Sequence, residues 1–209
     1  MTSQEVSDGP SFDSVLRSRR MCRDFLTEPI QAELLTSVLR AAFRGPAAGN
    51  TSALELLVLT EEQVQQYWDL TLPVARRSNF AWPGLLNAAV LVIPTVSSEA
   101  YLERYSAKDK ADSGLGADVQ AWGVPYWYID GGAAVMALLL AAEAAGLGAL
   151  FFGQFGHEPA IAESFCLPKN CRALGTIALG WPAAHGRKPS SSARAARPQP
   201  DSLIHYQRW

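Results

Sequence analysis

The sequence predicts a domain of mixed α/β or α+β class in which helices cover a sheet. Three observations carry this. Segments with apolar residues at helical spacing alternate with short apolar runs of strand length. One long apolar stretch is followed directly by such a run, and no internal repeat marks a solenoid or propeller. The chain has 209 residues, 48% hydrophobic and 18% charged, enough for one sizeable core and too apolar for general disorder. A formal net charge of -2 offers no basic face of the kind that nucleic acid or an anionic membrane selects.

Residues 1–11 read as a flexible leader, polar and acidic, with no apolar h-region; no secretory signal is expected and a cytoplasmic location is the natural reading. Phe12, Val15, Leu16 and Arg19 fall at helical spacing and predict a short helix ending in an arginine cluster. Pro29 is expected to open a second helix. Its apolar positions Leu34, Leu35, Val38, Leu39 and Ala42 repeat at the same period until Gly45-Pro46 stops it. The loop 46–52 is small and polar. Residues 54–60 read as a strand, 61–75 as a helix and 88–96 as a buried strand. Between 97 and 123 the period is lost, and Ser106, Gly114 and Gly116 predict a helical excursion with a mobile, lid-like loop. Residues 129–145 predict a helix buried on all sides, 149–152 a strand, Pro159 the first turn of a helix to Phe165, and 175–180 a final strand. The tail, 182–209, is rich in Pro, Ser, Ala and Arg yet ends in Tyr206 and Trp209, which predicts docking on a surface.

The stretch 133–155 is long enough to cross a bilayer. Glu143 interrupts it, Gly146-Leu147-Gly148 breaks its helical continuity, and flanking basic residues are missing, so a core helix followed by a strand is the reading. Cys22, Cys166 and Cys171 are odd in number and fit neither a disulfide framework nor a zinc pattern; they read as reduced, structural thiols.

Arg19, Arg20 and Arg23 place three guanidiniums within five positions. Taken alone, the cluster describes a solvated helix end whose cations complement the dipole. As a site, it presents fork-shaped donors to a phosphate. Asn50 carries a donor and an acceptor that suit a ring edge, although after Gly45-Pro46 an ordinary turn asparagine reads the same way. Glycines around 146–153 let backbone amides face a ligand. Gly131-Gly132 is no dinucleotide fingerprint, because no strand–GxGxxG–helix arrangement surrounds it. No nucleophile elbow, P-loop or HExxH motif is present. An enzyme of this sequence needs a cofactor to supply its chemistry.

Taken in order, these segments resemble the nitroreductase family of flavoproteins. The family's Arg-Arg-Ser-x-Arg-x-Phe/Tyr reads here Arg19-Arg20-Met21-Cys22-Arg23-Asp24-Phe25. Its Ala-Pro-Ser-x-x-Asn-x-Gln is matched by residues 45–52, with Asn50 in place and Ser52 where the glutamine stands. Its Asp-x-Gly, alanine-rich helix and Gly-Leu-Gly resemble residues 130–148; its Gly-x-Phe turn resembles Gly153-Gln154-Phe155. Leu179-Gly180-Trp181, Arg197-Pro198 and Arg208-Trp209 look like its closing motifs.

The resemblance implies an α+β three-layer sandwich, a mixed central sheet covered by helices. It implies a domain over 12–181, with 97–123 as a variable segment, and a swapped C-terminal arm in a homodimer that holds FMN at the subunit interface. Arg19, Arg20 and Arg23 would meet the FMN phosphate, ribityl chain and pyrimidine edge. Met21 stands there in place of a serine whose hydroxyl commonly helps bind the flavin. Asn50 and Ser52 would come from the partner subunit, the backbone of Gly153 and Gln154 would approach flavin N5, and Arg197, helped by Arg194, would bind phosphate. No catalytic side chain and no metal is implied, since flavin N5 carries the chemistry. The implied activity is an NAD(P)H oxidoreductase with NADH or NADPH as co-substrate. It reduces an electron-poor acceptor, a nitroaromatic or quinone, by ping-pong hydride transfer. The alternatives are a flavin-sequestering protein without turnover, and a specialised relative such as a dehalogenase, a flavin-fragmenting enzyme or a biosynthetic oxidoreductase.

Overall fold

The computed structural model describes residues 9–187 and 197–209. Most of the expected leader and Arg194 lie outside the described residues. The sheet contains β1 (Leu54–Thr60), β2 (Val90–Val96), β3 (Gly148–Phe152), β4 (Arg172–Ala173) and β5 (Thr176–Gly180). Its order is β1-β2-β5-β3, with the short β4 also pairing with β2. Every pairing between these strands is antiparallel. The parallel component of the expected mixed sheet is the bridge from Met21 to Ala149 at the outer edge of β3.

Pleating divides the strand side chains between two cores. Leu91, Ile93, Leu150 and Ala178 enter one with Val64, Tyr67, Trp68 and Ile161. Val90, Val92, Ala149, Ile177 and Leu179 enter the other with Val38, Ala134, Leu138 and Ala142. The sheet therefore lies between two helical layers. Residues of α3 (Glu62–Thr71) and α7 (Glu158–Ser164) cover one face; α2 (Ala32–Ala41) and α6 (Tyr126–Ala144) cover the other. All residues of β2 and β5 are buried, which explains why both read as continuous apolar runs.

Several boundaries differ from expectation for local reasons. α1 (Phe12–Ser18) ends at Arg19 as expected, and its Ser11 cap accepts the Ser14 amide at 3.3 Å. Pro29 does not open α2, which begins at Ala32. Ile30 lies ahead of that helix and packs into the second core. The single helix expected over 61–75 is two: Pro73 lacks an N–H and disfavours helical backbone at Leu72, so α3 stops and α4 (Val74–Arg77) starts afresh. The segment 97–123 has structure of its own. α5 (Ser98–Ser106) is capped by Ser97, and Trp122 packs edge-on to Tyr101 and Trp127 at centroid distances of 5.7 and 5.8 Å. Three buried aromatics give this stretch a small core that a period search does not detect.

The helix expected to be buried on all sides is buried on one. Trp127, Ala134, Leu138 and Ala142 of α6 face the core, whereas Tyr128, Ile129 and Met136 are exposed. The sheet and α2 cover only one side of a cylinder, and Tyr128, Ile129 and Met136 on the other side stay exposed among the described residues. The helix has the length and hydropathy of a membrane span. Its packing is that of a core helix, and Glu143 near its end is paired with Arg187 at 3.0 Å with only 7% of the glutamate side chain exposed.

Leu138 is fully buried between α6 and the sheet. Leu138→Ala should lower the free energy of unfolding by about 2–5 kcal/mol, read from urea denaturation, through lost burial and the cavity left behind.

Candidate functional site

The arginine segment is fixed to the outer edge of β3. The Cys22 amide donates to the Ala149 carbonyl at 2.8 Å, the Arg23 amide to Gly186 at 2.8 Å and the Phe25 amide to Gly84 at 3.0 Å. Phe25 also bridges to Pro182. Residues 182–187, assigned to the arm by the sequence, thus dock on the arginine segment of their own chain. The Cys22 side chain is completely buried, and burial pushes its thiol pKa up. Free Cys166 is exposed and Cys171 half-buried.

From this edge the three arginines diverge. Arg19 is half-buried, and its Nη1 is shielded from solvent with no hydrogen-bond partner among the described residues. Arg20 is exposed and turns back on its own helix end, donating Nη1 to the carbonyls of Arg17 at 2.7 Å and Arg19 at 2.8 Å. Met21 packs against both cores. Arg23 borders a cleft of about 400 Å³ that Gly153 and Gln154 also line, with Trp68, Phe80 and Trp82 among its walls. Its guanidinium lies 5.5 Å from the centroid of the Trp82 ring, a cation–π arrangement.

The floor of the cleft is polar. Gln154 is 5% exposed and donates Nε2 to Thr176 Oγ1 at 3.1 Å, which is itself 2.8 Å from the Tyr67 hydroxyl. The Gln154 Oε1 has no partner among the described residues. Burial pushes the Tyr67 phenol up to about 12, against a weaker opposing effect of the Thr176 hydrogen bond. A Cβ on Gly153 would meet the Phe155 ring at 2.6 Å and push it aside. Phe155 holds a left-handed backbone, φ 35°, and its side chain stands in solvent.

Asn50 and Ser52 lie elsewhere. They line a second cleft of about 370 Å³ with Phe43, Gly45, Tyr101 and Asp130. The structure therefore brings Arg23, Gly153 and Gln154 together, leaves Asn50 and Ser52 beside α6, and places Arg197 in an exposed stretch. Trp68, Phe80 and Trp82 were not singled out from the sequence, because aromatics in and after an amphipathic helix read as core. Asp130 did carry a signal, since a carboxylate in an apolar helix requires partners. Among the described residues no group of three or more His, Cys, Asp or Glu stands close enough to hold a metal.

A three-layer α+β sandwich with an arginine segment at the sheet edge and an aromatic cleft beside it defines the class. The sequence pattern of the nitroreductase family matches residues 16–181, and the chain belongs to that family. It is similar to an Archaeoglobus fulgidus protein described as a candidate NADH dehydrogenase/NAD(P)H nitroreductase, 23% identical over 80% of this chain and 83% of that one. Among solved structures it resembles a nitroreductase family protein of Clostridium difficile, with a TM-score of 0.66, 20% identity, and coverage of 96% of this chain and 100% of the other. It also resembles a candidate nitroreductase of Desulfovibrio desulfuricans solved in complex with FMN, with a TM-score of 0.64, 21% identity, and coverage of 97% and 99%.

Tyr67 makes alkaline stability a test of the cleft floor. A phenol raised from 10.0 to about 12 on folding contributes stability that is fully present below the unfolded value and is lost as pH rises through the folded one. The urea midpoint should therefore fall between about pH 10 and about pH 12, and Tyr67→Phe should flatten part of that fall.

Proposed function

We propose that the chain is an FMN-dependent oxidoreductase that takes electrons from NADH or NADPH and delivers them to an electron-poor acceptor, a nitroaromatic or a quinone. The observation that carries the reading is the aromatic-walled cleft where Arg23, Gly153 and Gln154 converge in a nitroreductase-family chain. The residues present fit FMN. Arg19 Nη1 is a buried donor and Gln154 Oε1 a buried acceptor, each without a partner among the described residues. Leaving such a group unpaired costs about 1–3 kcal/mol, so a ligand that offers an acceptor such as phosphate to Arg19 and a ring-edge donor to Gln154 is favoured. The similar Desulfovibrio desulfuricans protein was solved with FMN.

When bound, FMN supplies the acceptor and donor of hydride, and no side-chain acid or base is needed. In this reading Arg19, with Arg197 and Arg194, meets the phosphate, while Arg20 adds positive charge at the same helix end. Arg23 orients the pyrimidine edge, and the backbone of Gly153 and Gln154 flanks the reactive face of the ring. Trp68, Phe80 and Trp82 exclude water. Donor and acceptor occupy one place in turn, in ping-pong order. Met21 contributes packing where the family commonly has a hydroxyl.

The active unit in this reading is a homodimer. The exposed Tyr128, Ile129 and Met136 form an apolar stripe along α6, continuous with a groove of about 390 Å³ that Phe151 and Leu174 also line. Leu203, Ile204, Tyr206 and Trp209 of the arm are exposed as well. Surfaces this apolar are characteristic of interfaces. A second copy laid on the stripe buries it and brings the partner's Asn50 and the partner's Ser52 toward the cleft.

Purified protein should be yellow, bleach on anaerobic addition of NADH or NADPH and regain its colour with a quinone. A colourless protein that ignores added FMN overturns the reading. Arg19→Ala should weaken FMN binding about tenfold or more, the loss of a charge-assisted hydrogen bond, without lowering the melting temperature of the flavin-free protein; unchanged affinity removes the role given to Arg19. Met136→Arg should shift the sedimenting species from dimer to monomer.

A further inference from the structure

The loop that carries Asn50 is tied down by side chains from outside it. We propose that Tyr101, Arg104 and Asp130 are positioning residues that hold Asn50 in the orientation it presents to a flavin. The proposal rests on the reading of Asn50 as a flavin-site residue and deepens it.

The loop needs holding. Gly49 and Asn50 are consecutive residues with left-handed backbone, φ 64° and 55°. Glycine adopts this freely; asparagine tolerates it better than most residues but at a cost. The short 3-10 turn Ala48–Asn50 is too small to supply the difference. Its own closure is one side-chain bond, Thr51 Oγ1 to the Ala48 carbonyl at 2.6 Å, and two backbone bonds, from the Thr51 amide to the same carbonyl at 3.2 Å and from the Asn50 amide to the Ala47 carbonyl at 2.9 Å; none of them reaches outside residues 47–51.

The rest comes from α5 and α6. Asp130 Oδ2, on α6, accepts the Ala48 amide at 2.7 Å and the Tyr101 hydroxyl at 2.6 Å. The hydroxyl shares that carboxylate oxygen with the Ala48 amide, and the two donors together restrain the Asp130 side chain. Arg104, on α5, donates Nε to the Gly49 carbonyl at 2.8 Å. Its two terminal nitrogens are forked onto Asp109 at 2.8 and 2.7 Å, which leaves the guanidinium plane little freedom. The Tyr105 ring lies beneath Gly49, where a Cβ would meet it at 2.9 Å. The Ala48 amide and the Gly49 carbonyl are thus both fastened from outside, one to each helix. Asn50 follows directly, exposed on the wall of the second cleft.

This arrangement also gives the variable segment a task. α5 and Asp109 belong to it, so its folding state is transmitted to the residue that faces the partner. A loop cut free of α5 samples other orientations, and an asparagine that must find its place on binding contributes less than one already there.

The test uses the full-length protein, with Arg104→Ala, Tyr101→Phe, Asn50→Ala and the double variant Arg104→Ala/Asn50→Ala. Two quantities are measured: amide hydrogen exchange across residues 47–51 in flavin-free protein, and FMN affinity by fluorescence titration. Arg104→Ala should speed exchange in the loop, with exchange in β2 and β5 unchanged. It should weaken FMN binding about fivefold, the order of one hydrogen bond's worth of placement. Asn50→Ala should weaken FMN by a similar factor and leave Asp130 and Arg104 in place. The double variant should be no weaker than the worse single one, because Arg104 acts through Asn50. Tyr101→Phe deletes one hydroxyl and should show the same pattern in smaller measure, keeping the test valid if Arg104→Ala folds poorly. Unchanged loop exchange in folded Arg104→Ala overturns the proposal, as does an additive double variant. Absence of FMN binding by the unsubstituted protein overturns the proposed function instead, together with the role assigned to Asn50; the exchange data then still decide whether the three residues hold the loop.

Discussion

One hydrogen bond, from the Cys22 amide to the Ala149 carbonyl at 2.8 Å, anchors the strip that carries Arg19, Arg20 and Arg23. It adds the arginine segment to the open edge of β3, and with it comes the charge. An edge strand presents unpaired donors and acceptors, and covering them is worthwhile in any fold. Here the cover is the segment that carries Arg19 and Arg23. The same step brings Cys22 and Phe25 into the first core. Positive charge is thereby held at a packed edge, with Arg23 bordering the aromatic cleft.

The arrangement separates roles that a glance at the sequence merges. Three arginines within five residues appear equivalent. In the structure Arg20 is occupied by the carbonyls of its own helix end, Arg23 lies over Trp82, and Arg19 keeps a buried nitrogen without a partner among the described residues. Polar groups without partners are few in a folded chain. Four such groups stand among the described residues, on Arg19, Trp68, Gln154 and Arg187, and two of these, Arg19 and Gln154, belong to the motif segments.

Where a segment's neighbours in sequence are also its neighbours in space, the chain was legible. The strand over residues 54–60 was read to the residue, and the apolar runs of β2, β3 and β5 were located to within a few residues; in β2 and β5 burial on both faces writes itself into composition. The end of α1 at Arg19 followed from helical spacing. What was not legible depended on distant partners. β4 has two residues and exists only as a pairing with β2. The segment 97–123 looked patternless because its order comes from Tyr101, Trp122 and Trp127 meeting across 26 residues of chain, not from a local period. The exposed stripe on α6 was hidden for the opposite reason: a helix apolar all round looks fully buried when only the amount of apolar surface is counted, not what is available to cover it.

The burial of Cys22 has a further use. Its sulfur sits between the backbones of Gly148 and Gly186, neither of which leaves room for a side chain of its own. A thiol reagent cannot reach it until the arginine segment lifts away from β3, while Cys166 on the surface reacts from the start. The slow phase of thiol labelling is therefore a clock for local opening at the sheet edge. It measures how often the cation-bearing strip leaves its seat, in a protein that carries its own probe beneath that strip.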